Sequence, residues 1–271
     1  MSHTTYTVKT DFGFFRVKKE SNNTYEHLHV GGRKFCVEFR WHRGSQNSVL
    51  QWIDVLQGGC ELQEKQIRKE DTVKLFDLAV TILKKYSPEV KHIELLDNSK
   101  FSCDLPRGKK GQIFMNHYNY LFHNATWYDS KLGAYPIDSI YKERYEKNKY
   151  IATDPSKKTL FFDFKNTDLN TMLTPLFNES HTWREFLDKL YLEYNDKNLC
   201  GILYPWYLEA SVFLAGGLSL PSLWYIDIES RPTIDYEITA HIGGKRRTRK
   251  RRPADDEEEI SPSEIRSLPF I

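Results

Sequence analysis

The densest cluster of charged side chains lies near the end of the printed sequence, where seven of eight consecutive residues are basic. They are Lys245, Arg246, Arg247, Arg249, Lys250, Arg251 and Arg252. Such a polycation attracts nucleic acid by neutralising phosphates, and it also matches the segments that nuclear import receptors bind. The five acidic residues at 255–259 can compete for the same charges. We therefore predict a nucleic-acid or import-receptor contact that the acidic block weakens, with a merely solvated tail as the alternative.

The histidines and cysteines give weaker evidence of a functional site than the basic block does. His27 and His29 are two residues apart on a predicted strand, so both rings lie on one face, but no third ligand is evident nearby in the sequence. We therefore predict no metal site. The four cysteines are Cys36, Cys60, Cys103 and Cys200. Because none forms a Cys-x-x-Cys pair, free thiols in a reducing compartment are expected. No Walker-type loop or Gly-x-Ser-x-Gly motif is present.

Composition indicates a packed globular body followed by a polar tail. The 271 residues include 16 Tyr, 16 Phe and 6 Trp, which is enough apolar material for a large core. Outside the basic and acidic blocks, acidic and basic residues are equal in number, so the body is neutral. The apolar stretch at 202–226 contains Glu209 and is interrupted by Pro205 and Pro221, which favours a buried helix, a turn and a strand over a membrane span. With no apolar segment at residues 1–11, we expect an intracellular protein that is neither secreted nor membrane-bound.

The spacing of apolar residues predicts the helices and strands that must position any functional site. Residues 71–86 carry an apolar stripe at helical spacing, and Ser87-Pro88 ends that helix before a strand at 90–96. Runs rich in β-branched and aromatic residues predict further strands at 6–17, 24–30, 35–40, 49–56 and 159–164. Helices are predicted at 140–150 and 183–194. Residues 100–112 contain proline, two glycines and several basic residues, which predicts an exposed loop.

The helix at 71–86 and the strand at 90–96 are followed by the motif Tyr128-x-x-Lys131-Leu132-Gly133. This order of elements and this motif resemble the second half of the GNAT (N-acetyltransferase) fold. The chain is more similar still to GNAT-like proteins encoded by large DNA viruses. Those proteins combine a stretch like Thr126-Trp127-Tyr128 with later features like Thr182–Phe186 and Cys200…Pro205-Trp206. The resemblance covers roughly residues 30 to 230. The spacing between Tyr128 and the Leu132-Gly133 pair is one residue longer than is usual in the family.

The resemblance implies direct acyl transfer from acetyl-CoA to an amine. Tyr128 then corresponds to the family tyrosine that protonates the departing thiolate, and a carboxylate on the central strands, Asp54 or Glu38, takes a proton from the attacking ammonium. A strand carboxylate beside an apolar wall has a raised pKa, which suits a base. The alternative for Tyr128 is a core aromatic with its hydroxyl satisfied, and for the two carboxylates it is a solvent-facing position.

The cofactor loop departs from the family pattern. GNAT enzymes bind the CoA pyrophosphate with backbone amides of a glycine-rich loop at the start of the central helix, where unpaired N–H groups favour anions. Residues 66–71 contain no glycine, and Glu70 and Asp71 place negative charge there. The remaining cofactor contacts predicted are Arg68, Lys69 and Asn98. We therefore expect acetyl-CoA binding that is weak or absent.

These observations predict an α+β fold with a GNAT-like, mixed, mostly antiparallel sheet and flanking helices, a helical C-terminal lobe and a disordered tail. The expected divisions are a core at 1–139, a lobe at 140–242 and a tail at 243–271. Two functions remain open. One is an acyl-CoA-dependent N-acyltransferase with a degenerate cofactor site. The other is a non-catalytic interaction or virion-associated protein that contacts other virion proteins, or nucleic acid through its tail, in the cytoplasm, nucleus or virion of a large DNA virus.

Overall fold

Strands and helices are both abundant in the computed structural model, which describes residues 2–32, 35–53, 71–105, 108–159, 167–194 and 199–241. The strands are β1 (Ser2–Thr10), β2 (Gly13–Ser21), β3 (Tyr25–Gly31), β4 (Phe35–His42), β5 (Asn47–Ile53), β6 (His92–Leu96), β7 (Lys100–Leu105), β8 (Lys109–Phe114), β9 (Tyr135–Pro136), β10 (Leu223–Asp227) and β11 (Glu237–His241). The helices are α1 (Asp71–Tyr86), α2 (Met115–His123), α3 (Trp127–Leu132), α4 (Ser139–Asn148), α5 (Thr167–Asn178), α6 (Trp183–Tyr194), α7 (Leu199–Leu203) and α8 (Tyr207–Leu214). The predicted α+β class is confirmed.

Nine strands form one sheet in the order β11-β1-β2-β3-β4-β5-β6-β10-β9. Among the described strands of this sheet, β5 and β6 pair in parallel and the other neighbours pair antiparallel. The prediction of a mixed, mostly antiparallel sheet is thus confirmed. Since α1 links two parallel strands, it runs back along the sheet and begins at the edge where β5 ends.

Helix α1 covers one face of the sheet. Its buried residues run from Leu75 to Leu83, and the ring of Phe76 lies edge-on to Phe39 of β4, with the centroids 5.8 Å apart. Along β4, Val37, Phe39 and Trp41 are buried while Glu38 is half-exposed. The strand alternation therefore places an apolar face against α1 and a polar face opposite it.

The first predicted strand is wrong, because residues 6–17 form parts of two strands. The chain turns at Asp11 and Phe12, and β1 and β2 pair from Ser2 with Ser21 to Thr10 with Gly13. The Thr10 hydroxyl donates to the Gly13 carbonyl (3.1 Å) and accepts from the Gly13 N–H (3.1 Å), which closes the turn. Side-chain bonds of this kind offer the backbone an alternative to continuing a strand.

The loop predicted at 100–112 is also wrong, because this segment forms the hairpin β7–β8. Gly108 has φ +71, a left-handed conformation that glycine adopts without a Cβ penalty, and it brings the chain round before β8. At Gly111 a Cβ would lie 2.7 Å from Cε2 of Tyr204, so the absence of a side chain lets α7 and its following turn approach the hairpin. Gly108 therefore permits the turn, and Gly111 permits close packing of the hairpin against Tyr204.

The expectation of free thiols is contradicted, because Cys103 on β7 and Cys200 on α7 form a disulfide with their Cα atoms 5.6 Å apart. No described cysteine is free. The bridge closes a loop of 97 residues, and a crosslink of that span stabilises a fold by roughly 4–5 kcal/mol in the chain-entropy picture. Spacing along the chain gave no sign of this pair. The cysteines therefore give no indication of a reducing compartment.

The later helices pack around a second group of aromatics. Trp183 and Phe186 of α6 are fully buried, and Phe177 of α5 lies edge-on to both at 5.0 and 5.3 Å. The predicted helix at 183–194 is confirmed with those bounds. In the described parts of the chain, no helix combines the length and apolarity that crossing a membrane requires.

Strands from beyond residue 139 return to the main sheet. β10 pairs with β6 and β9, and β11 pairs with β1 at the other end of the sheet. The predicted lobe at 140–242 therefore contributes two strands to the sheet as well as its helices. The predicted tail at 243–271, with its basic and acidic blocks, lies outside the described residues, as does all but Thr159 of the predicted strand at 159–164.

Candidate functional site

The two parallel strands of the sheet stay paired over only four positions. β5 and β6 are in register from Asn47 with His92 to Leu50 with Leu95. β5 then continues to Ile53 while β6 ends at Leu96, with no further register pair between them among the described residues. Their register pairs therefore end at Leu50 and Leu95, one residue before β6 ends, and a cleft lies at the carboxyl ends of the two strands.

A cavity of about 270 Å³ occupies this cleft. Its lining consists of Leu50, Gln51, Ile53, Leu95, Leu96, Asn98, Ser99 and Tyr128. Apolar side chains from both strands form the walls, and a phenol, two amides and a hydroxyl supply the polar groups. Polar and apolar surfaces contribute about equally to the lining, and convergent polar groups of this kind can fix the orientation of a small ligand.

Helix α3 brings Tyr128 to the cavity, and both ends of this short helix are fixed. Thr126 is its N-cap and accepts a hydrogen bond from the Asp129 N–H (3.2 Å). Gly133 ends the helix with φ +64 and donates to the Asp129 carbonyl (3.0 Å). The Asp129 carboxylate accepts from the Tyr145 hydroxyl (3.0 Å) and pairs with Lys149 (2.7 Å). These contacts hold the Tyr128 ring in one place against Trp127, with the ring centroids 5.2 Å apart.

A buried carboxylate lies beside this tyrosine. Asp97 directly follows β6, is 4% exposed, and accepts from the Ser99 N–H (3.2 Å). Burial raises the pKa of Asp97, and the hydrogen bonds from Ser99 oppose that rise. Burial also raises the pKa of Tyr128, the negative charge of Asp97 adds to this, and a hydrogen bond with the Ser99 side chain opposes it. Tyr128 therefore stays protonated at neutral pH, in the form that can donate a proton.

Two of the predicted site residues, Tyr128 and Asn98, line the same cavity. Glu38 does not line it. Glu38 lies on the polar face of β4 next to two histidines of β3, with Oε1 3.6 Å from His27 Nδ1 and Oε2 3.6 Å from His29 Nδ1. The structure therefore separates this carboxylate from the predicted acid.

The other predicted residues lie outside the described part of the chain. They are Asp54, Arg68, Lys69 and the seven basic residues of the block at 245–252. Asp97 and Ser99 were missed by sequence reasoning, which named only Asn98 between them. The sequence feature that could have indicated them is an aspartate directly after a strand, because ligands of α/β sheets bind at the carboxyl ends of strands.

Comparison of the chain with protein-family models, with curated proteins and with solved structures found no match. Any functional conclusion therefore depends on the residues and the geometry of the chain itself.

Proposed function

We propose that this chain binds an acyl-CoA-type thioester in the cleft between β5 and β6 and transfers the acyl group to an amine. The observation that carries the proposal is the cavity at the carboxyl ends of the two parallel strands, where their pairing ends at Leu50 and Leu95 and Tyr128 contributes to the lining. An extended pantetheine arm fits between two such strands, because strand edges that lack a neighbour offer N–H and C=O groups to an amide-containing chain.

The side chains support a direct transfer. The amine nitrogen attacks the thioester carbonyl, the C–S bond breaks, and the sulfur leaves as a thiolate that takes the Tyr128 hydroxyl proton. The nitrogen then gives its surplus proton to the Tyr128 phenolate, which restores the phenol and leaves the amide. Burial, to which the charge of Asp97 adds, raises the pKa of Tyr128, so the phenol holds its proton at neutral pH. The attacking ammonium must first lose a proton, and Asp54, just beyond the end of β5, is the base that we propose for this step.

Affinity for the nucleotide part of CoA is expected to be weak. Residues 66–71 lack glycine and include Glu70 and Asp71, so they do not offer the amide nest that usually binds a pyrophosphate. We therefore propose that the pantetheine arm, which the cleft contacts, provides most of the binding free energy. A short pantetheine thioester should then bind nearly as well as acetyl-CoA.

Calorimetric titration of the full chain with acetyl-CoA and with S-acetylpantetheine tests the proposal. Leu96→Trp should abolish binding of both, because Leu96 lines the cavity and is 56% exposed, so a larger side chain can fill the cleft without disturbing the core. Leu192→Trp on α6, where the leucine is 82% exposed, is the matched control and should bind as the parent does. Undetectable binding of both thioesters by the parent would contradict the proposal. Low-micromolar binding of acetyl-CoA alone would contradict the weak pyrophosphate contact.

The second candidate function is a non-catalytic, virion-associated or nucleic-acid-binding protein. The acidic pair Glu70-Asp71 at the expected cofactor loop favours loss of catalysis, and the basic block at 245–252 favours a phosphate-rich partner. A fluorescence titration of duplex DNA with the full chain, with a chain ending at Ile242, and with a chain lacking residues 255–259 tests this candidate. We expect lost binding in the first deletion, tighter binding in the second, and a steep decline with salt. Unchanged affinity after removal of 243–271 would exclude the tail as the contact.

A further inference from the structure

Two histidines and a glutamate meet on the polar face of the sheet, away from α1. His27 and His29 are two residues apart on β3, so their rings point to the same side and stack at 6.0 Å between centroids. Glu38 of β4 is the register partner of His29. One ligand atom from each of the three residues can be chosen so that all three lie within 4.8 Å of one another.

Hydrogen bonding decides which nitrogen of His29 faces this cluster. Its Nε2 lies 3.2 Å from Oε2 of Glu20, a carboxylate of β2. A carboxylate only accepts, so Nε2 carries the proton and Nδ1 carries the lone pair. A carboxylate on the outer nitrogen of a histidine is the arrangement that orients metal-ligating imidazoles in proteins.

The inner nitrogen of His29 is left without a hydrogen bond. His29 is only 8% exposed, and its Nδ1 is buried with no hydrogen-bond partner. It faces Oε2 of Glu38 at 3.6 Å, so a lone pair and a carboxylate oxygen point toward each other. Two acceptors in this position repel unless a proton or a metal cation lies between them. A buried polar atom without a partner is costly, and this one lacks only a positive centre.

Among the described residues, two cations near this cluster make other contacts. Lys18 of β2 pairs with Oε1 of Glu20 at 2.5 Å. Arg40, the register partner of His27, stacks over the ring of Tyr25 at 4.0 Å. Among the described residues, the ion-pair contacts of Glu38 are with His27 and His29 alone.

We propose that His27, His29 and Glu38 bind a divalent transition-metal ion, with Zn²⁺ as the best-fitting ion. Two imidazoles and one carboxylate are a donor set that zinc accepts in protein sites, and the fourth position is left to water. Tetrahedral ligands at Zn–N and Zn–O distances near 2.0–2.1 Å are about 3.3 Å apart. The two nitrogens lie 3.6 Å from different oxygens of Glu38, and the three ligand atoms lie within 4.8 Å of one another. The side chains must therefore move closer together to reach that geometry.

Strand pairing explains why the site is preformed. The ligands come from neighbouring antiparallel strands, and β3 and β4 remain in register from Tyr25 with His42 to Val30 with Val37. A bound ion would therefore crosslink two strands that are already held by their ladder hydrogen bonds, and little ordering would be required of the ligands. The site does not depend on the acyl-transfer proposal.

Calorimetric titration of the untagged full chain with ZnCl₂, without chelators or thiol reductants, tests the site. We expect one ion bound with micromolar or tighter affinity, and we expect Co²⁺ to give the intense visible absorption of a tetrahedral site. Glu38→Gln and His27→Asn should each weaken zinc binding at least tenfold, and Glu20→Gln should weaken it less. Glu26→Gln is the matched control, because Glu26 lies on β3 but pairs with Lys19 and Arg43.

Three results would overturn the proposal. They are the absence of stoichiometric zinc binding, unchanged affinity in both Glu38→Gln and His27→Asn, and an equal loss in Glu26→Gln. Circular dichroism of each variant without metal distinguishes loss of the site from loss of the fold. If His27→Asn unfolds, the half-exposed Glu38→Gln still decides the question, since it changes one oxygen to nitrogen at nearly constant shape.

Discussion

The cleft and the histidine cluster belong to one sheet, but strand pairing produces them in opposite ways. Between β5 and β6 the pairing stops at Leu50 and Leu95, and the opening itself is the feature that could receive a ligand. Between β3 and β4 the pairing continues, and His29 meets Glu38 because the register is maintained. One candidate site thus depends on interrupted backbone pairing and the other on continuous pairing. A substitution at one site should therefore change the ligand binding of that site and leave the other site unaffected.

The largest effect is expected from Trp224→Ala. Trp224 of β10 is fully buried, pairs with Leu95, and lies edge-on to Tyr145 at 5.3 Å. Truncating a buried tryptophan costs about 3–5 kcal/mol of unfolding free energy, and this one supports the strand that forms one wall of the cleft. Chemical denaturation measures the loss. Leu192→Ala on the exposed side of α6 is the control, and a Trp224→Ala loss below about 1 kcal/mol would show that the cleft wall does not depend on this ring.

The next largest effect is on rate. Tyr128→Phe removes the proposed acid but keeps the ring, so acyl transfer should fall roughly 10²- to 10⁴-fold in kcat, as loss of a general acid does. Steady-state assays with acetyl-CoA and an amine acceptor measure it. Zinc affinity of the same variant should not change, because Tyr128 has no contact with the histidine cluster.

The converse variant completes this test. Glu38→Gln should lose zinc binding while retaining acyl transfer. If both activities fell together in either variant, the two sites would not be independent, and the comparison between interrupted and continuous pairing would fail.

Asp97→Asn should change the pH dependence of stability. Because burial raises the pKa of Asp97, its charged form is disfavoured in the folded state. The resulting destabilisation is fully present above the folded-state pKa and disappears as pH falls toward the ordinary value for an aspartate. Asparagine carries no charge and can still accept from the Ser99 N–H. The variant should therefore gain stability over the parent at neutral pH, and the gain should shrink near pH about 4.

Denaturant unfolding at both pH values measures that difference, and a constant difference would contradict the assignment. The same variant offers a second measurement. Because the charge of Asp97 raises the pKa of Tyr128, removing that charge should lower the pKa of this phenol. Carbon-13 labelling of tyrosine rings and NMR titration of the full chain would detect the change.

The smallest effect is expected from Thr126→Ala, which removes the N-cap of α3. Loss of a threonine cap costs about 1 kcal/mol. Exchange of the Asp129 amide should accelerate, and acyl transfer should decline modestly, because the helix positions Tyr128. Thr126→Ser keeps the hydroxyl and should behave as the parent does. No change in amide exchange would mean that the bond from Asp129 to Thr126 does not hold the helix.

Local patterns predicted some elements well. The apolar stripe at 71–86 gave α1 with its bounds, and the segment at 183–194 gave α6, because helix periodicity and stop signals are local. The hairpin at Lys100–Phe114 was missed, since proline, glycines and charges there resemble a loop while the strands depend on each other and on Tyr204. The disulfide between Cys103 and Cys200 joins positions 97 residues apart and left no local signal.

The sequence by itself determined the α+β class, the order of a strand meander followed by a helix and a strand, and the position of Tyr128 after them. It also showed that His27 and His29 share a face. Tertiary structure decided that Glu38 belongs with those histidines instead of with Tyr128, and that Asp97 is buried beside that tyrosine. The physical reason is register. Which residues meet across strands depends on pairing between distant segments, and a one-residue shift would move every side chain to the opposite face.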